Sequence, residues 1–266
     1  MAFKVVIPAR YASTRLPGKP LADIGGRTMI QRVVQGACAS GAAQVVVATD
    51  DERVASAVRD PAGKGRVTAL MTDTALPSGT DRVAAVAERL AWGEDTIVVN
   101  VQGDEPFLPA ALIDQVAGLL ARDATAGIAT LATPVRSLEE FLDPNVVKVV
   151  AADDGAALYF SRAPVPWTRD GAMAGLGSQR EFGGASRHIG IYAYRVATLK
   201  RITRLPPSRL ERLEKLEQLR ALQSGVRIVV AECSVAPGPG VDTQADLERA
   251  RQRAAGLNGD SGGGKT

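Results

Sequence analysis

Residues 7–21 read IPARYASTRLPGKPL and gather three cations, Arg10, Arg15 and Lys19, on one short stretch. Ser13, Thr14 and Gly18 lie between them and are small enough to let backbone N–H groups approach an anion. Pro8, Pro17 and Pro20 stiffen the chain. Cations, hydroxyls and amides on a stiff loop suit a polyphosphate; a solvated basic loop is the plainer alternative. Residues 99–106, VNVQGDEP, close an apolar run with Gln102, Gly103, Asp104 and Glu105. Carboxylates beside a gathering of cations suit Mg²⁺, which is held through one or two carboxylates plus substrate oxygens and water. Asp104 is the expected ligand, with Glu105 turned the other way along an extended chain. An N-capping turn before a helix at Pro109 explains the same residues without a metal. GPGVDT at 238–243 offers Asp242 as a second ligand, or as an ordinary turn aspartate.

Three further stretches carry polar groups in suggestive places. PSGTDR at 77–82 opens a helix with Ser78, and a helix N-terminus is a site for an anion or a hydroxyl. Asp81 there suits the helix dipole, and Arg82 one turn on could reach a substrate acid. LERLEKLEQLRAL at 210–222 repeats Leu every third residue. On a continuous helix of about 100° per residue, Glu217 falls about 20° from Leu210, on the apolar side. An acid there needs a partner or a ligand, or sits at the stripe's edge and reaches water. YFSRAPVPW at 159–167 and RHIGIY at 187–192 place Arg162, Arg187 and His188 on strand-like segments. A lone His is more often a hydrogen-bonded structural residue than a catalyst, and Tyr192 reads as packing.

The elements that must position these groups alternate. Short β-branched runs at 3–7, 44–48, 66–70, 96–101 and 127–133 are separated by helical patterns at 28–40, 51–59, 79–90 and 109–121. That rhythm reads as βαβ units on a parallel sheet. Continuous Val/Ile runs, as at 45–47 and 97–99, fit a sheet covered on both faces. In such sheets ligands bind beyond the carboxyl ends of the strands, where 7–21 and 99–106 begin. After a short helix at 137–141, strand-like segments at 146–151, 157–161 and 188–195 crowd together. The Gly-rich stretch 168–184 between them reads as a mobile loop or lid. A long helix is expected over 208–223, with Ser208 and Glu211 as a capping box. A strand at 226–231 and a helix at 243–255 follow. Residues 1–257 form one α/β domain in this reading, with 135–205 as a smaller subregion, and 258–266 form a disordered tail.

Composition excludes several chemistries. The chain has 266 residues, 32 Lys and Arg against 29 Asp and Glu, one His and two Cys. One His cannot build a multi-His zinc site, and two Cys cannot build a disulfide framework. A reduced, cytoplasmic compartment is expected. A net charge of +3 and 4% aromatics give neither the basic footprint nor the stacking platforms of nucleic-acid binders. No signal peptide or membrane span is expected. GDSGGGKT at 259–266 fits the P-loop pattern, but that motif works only between a strand and a helix, so a chance match is expected.

IPARYASTRLPGKPL, ATDDERV, SGTDR, VNVQGDEP, DPNVVKVV, YFSRAPVPW, RHIGIY, LEKLEQLR and GVDT follow one another in this order. Together they closely resemble the 3-deoxy-manno-octulosonate (Kdo) cytidylyltransferases, over about residues 3–253. Sialic-acid cytidylyltransferases share an IPAR-type opening, but the loop after it differs. The resemblance implies a Rossmann-like nucleotidyltransferase fold with a mixed, mostly parallel sheet and a smaller β-rich part that joins a homodimer and carries a lid. It implies an Mg²⁺-dependent reaction of CTP with Kdo that gives CMP-Kdo and pyrophosphate for lipopolysaccharide synthesis. By resemblance, Arg10 and Lys19 bind the CTP phosphates with Arg15 nearby, and Pro8 and Ala9 meet the cytosine side. Ser78 and Arg82 lie at nucleotide and sugar, and Gln102 touches the sugar acid. Asp104 and Asp242 hold Mg²⁺, with Asp104, Arg10 and Lys19 as the catalytic set. Arg162, His188, Tyr192, Glu217 and Gln218 line the sugar pocket. Asp81 departs from the Glu the family resemblance leads one to expect, and the stretch 61–67 looks slightly expanded. The competing acceptors are a sialic acid, an 8-amino Kdo analogue or a sugar phosphate; a non-catalytic nucleotide-binding regulator is the alternative outside the enzymes.

Overall fold

Alternate residues of the Val/Ile runs serve opposite faces of one sheet. The computed structural model describes residues 2–12, 16–58, 66–171 and 174–259. In it the first half of the chain runs β1 (Lys4–Ala9), α1 (Met29–Cys38), β2 (Gln44–Thr49), α2 (Glu52–Ala57), β3 (Val67–Met71), α3 (Gly79–Arg89), β4 (Ile97–Asn100), α4 (Ala110–Arg122) and β5 (Ile128–Pro134). Val5, Ile7, Val45, Val47 and Val99 pack under α1, α2 and α4, against Ile30, Val54 and Leu112. Val6, Val46 and Val98 face the other way, against Val83 and Val86 of α3. Side chains alternate along a strand, so a strand covered on both faces is apolar throughout. Each fully buried Val is worth roughly 1.5–3 kcal/mol over leaving it in water, and an acid at Val46 would break one of these layers.

The second half adds α5 (Leu138–Leu142), β6 (Lys148–Ala151), β7 (Ala157–Ser161), β8 (Ser186–Arg195), α6 (Val196–Thr203), α7 (Arg209–Glu214), α8 (Gln218–Gln223), β9 (Ile228–Glu232) and α9 (Gln244–Gly259). The sheet order is β3-β2-β1-β4-β8-β5-β9. β3, β2, β1 and β4 are parallel neighbours, as are β5 and β9. β8 runs antiparallel between β4 and β5. The sheet is therefore mixed and mostly parallel, as expected, and the crowded strands after 143 are not a separate layer. β6 pairs with β7 and β8 as a side ribbon.

Three elements differ from the sequence reading. The helix expected over 208–223 is two short helices, because Lys215 adopts a left-handed conformation with φ 54° and ψ 46°. The capping box at its start is present: Ser208 N donates to Glu211 Oε2 at 3.0 Å and Glu211 N donates to Ser208 Oγ at 3.2 Å. α6 is a helix that the sequence reading omits. α9 continues to Gly259, past the expected end. Most described residues of the Gly-rich stretch are exposed, while Gln179 is buried and Phe182 lies against Val135, Phe141 and Ala185. Arg15, most of the segment 61–67 and residues 260–266 of the tail lie outside the described residues. Among the described residues no helix is long and apolar enough to cross a membrane.

Candidate active site

Two cavities open beyond the carboxyl ends of β1 and β4 and share Gly79 and Gln102 in their walls. The first, of about 370 Å³, is lined by Pro8, Ala9, Arg10, Lys19, Arg82 and Asp104, among others. Close packing of two backbones makes it. A Cβ at Gly103 would stand 2.8 Å from Pro8 O, so only Gly lets the loop after β4 lie against the end of β1. Gly18, at φ 67°, turns the chain into a 3₁₀ turn at Lys19–Leu21. That turn aims Lys19 inward, and its Nζ sits 2.7 Å from Asp104 Oδ2 and 3.0 Å from Asp242 Oδ1. Arg10 also reaches the cleft, and its guanidinium donates to Leu76 O.

Asp242 arrives from the far end of the chain. Gly238 presses on the loop before α4, where a Cβ would overlap Phe107 O at 2.3 Å. Val241 is buried, and its N–H donates to Asp104 O at 2.9 Å. Both expected metal ligands thus converge on one positive group. Glu105 lies under the same turn. Burial, then the neighbouring Asp104 and Asp242, push its carboxyl up to about 7. Among the described residues no three His, Cys, Asp or Glu form a metal cluster. Two hard carboxylates gathered on a cation nevertheless match what Mg²⁺ takes from a protein when substrate phosphates and water supply the rest.

Arg82 does not stand free to reach a substrate acid. It is 0% exposed, pairs with Asp50 at 2.6 Å and donates to Thr72 Oγ1, within the cleft wall. Asp50 also accepts from Tyr11 N at 3.3 Å, which ties the loop after β1 to α3. Ser78 caps α3: its Oγ accepts from Asp81 N at 3.2 Å and donates to Asp81 Oδ2 at 2.7 Å. Asp81, the departure from the expected Glu, is thereby engaged with the cap.

The second cavity, of about 220 Å³, brings together Ser78, Asn100, Gln102, Tyr192, Glu217 and Gln218. The break at Lys215 changes how Glu217 reaches it. Glu217 does not sit on a covered helical stripe; it is exposed at the start of α8 and accepts from Thr80 Oγ1 at 2.6 Å. α7 and α8 are separate helices, so Leu210 and Glu217 do not share one helical face. Leu213, in the same repeat, is 69% exposed. Glu211 and Arg220 hold the two helices together, with Arg220 Nε 2.8 Å from Glu211 Oε2 and Nη2 2.5 Å from Oε1.

Two expected pocket residues line neither cavity. Arg162 donates from Nε to Glu214 O at 2.7 Å and from Nη1 to Pro144 O at 2.9 Å, so it joins β7 to the end of α7. His188 lies 2.9 Å from Thr130 Oγ1 through Nε2 and packs between the rings of Phe160 and Tyr192. Burial drives its pKa down to about 3, so the imidazole is neutral near pH 7. Asn100 enters the wall of the smaller cavity, and Asp50 anchors Arg82, without either being singled out by the sequence reading. Asp50 was visible in the ATDD run. Asn100 was visible as a polar residue ending the strand Ile97-Val98-Val99-Asn100.

A family model described as cytidylyltransferase matches residues 4–228. The chain is 54% identical over 254 residues to the 3-deoxy-manno-octulosonate cytidylyltransferase of Methylococcus capsulatus, covering 96% of this chain and 97% of that one. The enzyme of the same name from Idiomarina loihiensis is 54% identical over 96% of this chain and 99% of its own. A solved structure of CMP:2-keto-3-deoxy-manno-octonic acid synthetase complexed with CTP aligns with a TM-score of 0.84 at 41% identity, covering 96% of this chain and 99% of that one.

Proposed function

Since this chain belongs to the 3-deoxy-manno-octulosonate cytidylyltransferase family, we propose that it transfers CMP from CTP to Kdo. The oxygen of the anomeric 2-hydroxyl bonds to the α-phosphorus, the bond from that phosphorus to the bridging oxygen of the β-phosphate breaks, and pyrophosphate leaves. The hydroxyl proton passes to solvent. The observation that carries this reading is the pair of cavities joined at Gly79 and Gln102, one lined by Arg10, Lys19 and Asp104, the other by hydroxyls, carboxamides and the carboxylates of Asp81 and Glu217, with Lys215 and Arg220 at its wall. The first suits the triphosphate of CTP, and the second suits a polyhydroxylated acid.

Arg10 and Lys19 supply positive charge where negative charge grows as pyrophosphate departs. Arg82, in the wall of the same cleft, is held in place by Asp50. Asp104 and Asp242 would hold Mg²⁺, with Lys19 yielding its place between them. A bound Mg²⁺ would supply Lewis-acid charge at the phosphates and lower the pKa of the sugar hydroxyl. His188 is too far from ionising to serve as a base at neutral pH, so its part is to hold Thr130 and Tyr192 in place. We also assign a homodimer contact to the ribbon of β6 and β7, where Leu158 is 59% exposed, and a cytoplasmic setting, with which a chain of only two cysteines agrees.

The test is pyrophosphate release from CTP and Mg²⁺ with Kdo, with an 8-amino analogue and with a sialic acid as parallel acceptors. Release with Kdo supports the proposal. Release with sialic acid alone keeps the chemistry and overturns the acceptor. No release with any of the three overturns the transfer itself.

A further inference from the structure

Asn100 is the last residue of β4, and it pairs with Tyr192 of β8. Directly opposed residues of an antiparallel pair project on the same face, so the carboxamide and the phenol stand side by side in the wall of the smaller cavity. Asn100 is 2% exposed, and its Oδ1 has no hydrogen-bond partner. A buried polar atom left unpartnered is a cost that a stable fold normally avoids, and this one borders an open cavity. None of the hydroxyls and amides that share this wall, the Tyr192 phenol included, is bonded to this oxygen. Asp81 and Glu217 are carboxylates, and of the cations in the wall Arg220 is already bound to Glu211 while Lys215 is exposed.

We infer that Asn100 is a specificity-determining residue that binds a hydroxyl of the sugar acid. This rests on the cytidylyl-transfer reading above and adds to it the way the acceptor lies. An acceptor oxygen repels a carboxylate and takes an O–H. The hydroxylated part of the ligand therefore enters between Asn100 and Glu217, and its carboxylate turns toward Gln102 and the cationic cleft. The last torsion of an Asn side chain is soft, and a hydroxyl both donates and accepts, so it can satisfy either end of the carboxamide. A site built to bond a hydroxyl discriminates sharply against a ligand that lacks it.

The test is Asn100→Leu, which keeps the approximate size and removes the polar atoms. Removing a buried atom that has no partner should leave the melting temperature unchanged or higher. The KM for Kdo should rise about tenfold or more, the loss of roughly one good hydrogen bond, while the KM for CTP stays within about twofold. In the unaltered protein one of the 4-, 5-, 7- and 8-deoxy analogues of Kdo should show a comparable loss, and the variant should show no further loss with that analogue. An unchanged KM for Kdo, equal shifts for Kdo and CTP, or full additivity with every analogue would overturn the inference. If Asn100→Leu does not fold, Asn100 has a structural role that contradicts the first expectation, and Asn100→Ala then decides the KM. Failure of the unaltered protein to use Kdo would sink the transfer reading and this inference together; normal use of Kdo with an unmoved KM in the variant sinks this inference alone.

Discussion

Arg220→Met should separate the two short helices that replace one long one. Arg220 makes two bonds to Glu211 and two weaker ones, at 3.3 Å each, to Ile202 O and Leu205 O. The two side chains are 15% and 10% exposed. Removing one partner of a buried ion pair costs about 3–5 kcal/mol, mostly because the other charge is stranded. Here Glu211 keeps one donor, Ser208 N, and some water, so a loss of about 2–3 kcal/mol is expected. For a chain of this size that lowers the melting temperature by about 4–12 °C. The Kdo KM should rise as well, because α8 carries Gln218 and its first turn sets Glu217. Glu211→Leu combined with Arg220→Met strands no charge and should recover part of the loss, less about 1 kcal/mol for the broken capping box. The pH dependence has a definite sign. Burial opposes ionisation of Glu211, but the Arg220 bonds and the Ser208 amide prevail and hold its pKa below the ordinary 4.5. The pair's contribution is thus complete above about 4.5 and is lost as the pH falls through the lower folded value. Urea denaturation of the unaltered protein, Arg220→Met, Glu211→Leu and the double variant at pH 7 and at mildly acid pH measures this. A loss under about 1 kcal/mol for Arg220→Met, or strict additivity in the cycle, would refute the account.

Asp104→Asn should cut turnover by about 10²-fold or more while calorimetry still detects CTP binding, and near-normal turnover would refute the metal assignment. Glu217→Gln should raise the KM for Kdo several-fold with little change for CTP; an unmoved KM would reduce Glu217 to a surface partner of Thr80. His188 has a folded pKa of about 3, below its ordinary 6.5. The unfolded chain therefore takes up a proton first, and stability should fall as the pH drops from about 6.5 toward 3. His188→Gln should flatten that stretch of the stability profile and remove no inflection from the rate profile between pH 6 and 8. An inflection that vanishes with His188 would contradict the neutral, structural imidazole.

The βαβ half was legible because its physics is local. Val45-Val46-Val47 can satisfy a strand only if both faces are covered, and Thr28 with Gln31 announces a helix start by itself. Convergence was less legible. Asp104 and Asp242 meet only because Gly238 and Val241 dock the late turn onto the loop before α4, and spacing along the chain contains no trace of that. The break at Lys215 was invisible for another reason. LEKLEQL contains no Gly or Pro and consists of good helix formers, so tertiary packing of Leu216 and Leu219 overrides local preference there. α6, VATLKRIT, was hidden by the opposite conflict, since its Val, Ile and Thr residues favour strands. Arg162 and His188 sit in motifs that surround the site, and their side chains serve the frame instead of the cavity.

The place of β8 also sets when this chain can finish folding as it is made. β1 to β4 emerge first and can assemble a parallel half-sheet with its own helices. The outer edge of β4 then stays uncovered until Ser186–Arg195 has been synthesised, because β8 is the strand that pairs with it. β5 waits for the same strand on one side and for β9 on the other. An open strand edge is a template for wrong pairing, and pairings between distant segments form slowly. The growing chain thus passes through a stage in which half a sheet is ready and its central neighbour has not yet left the ribosome, the stage at which it is most exposed to aggregation.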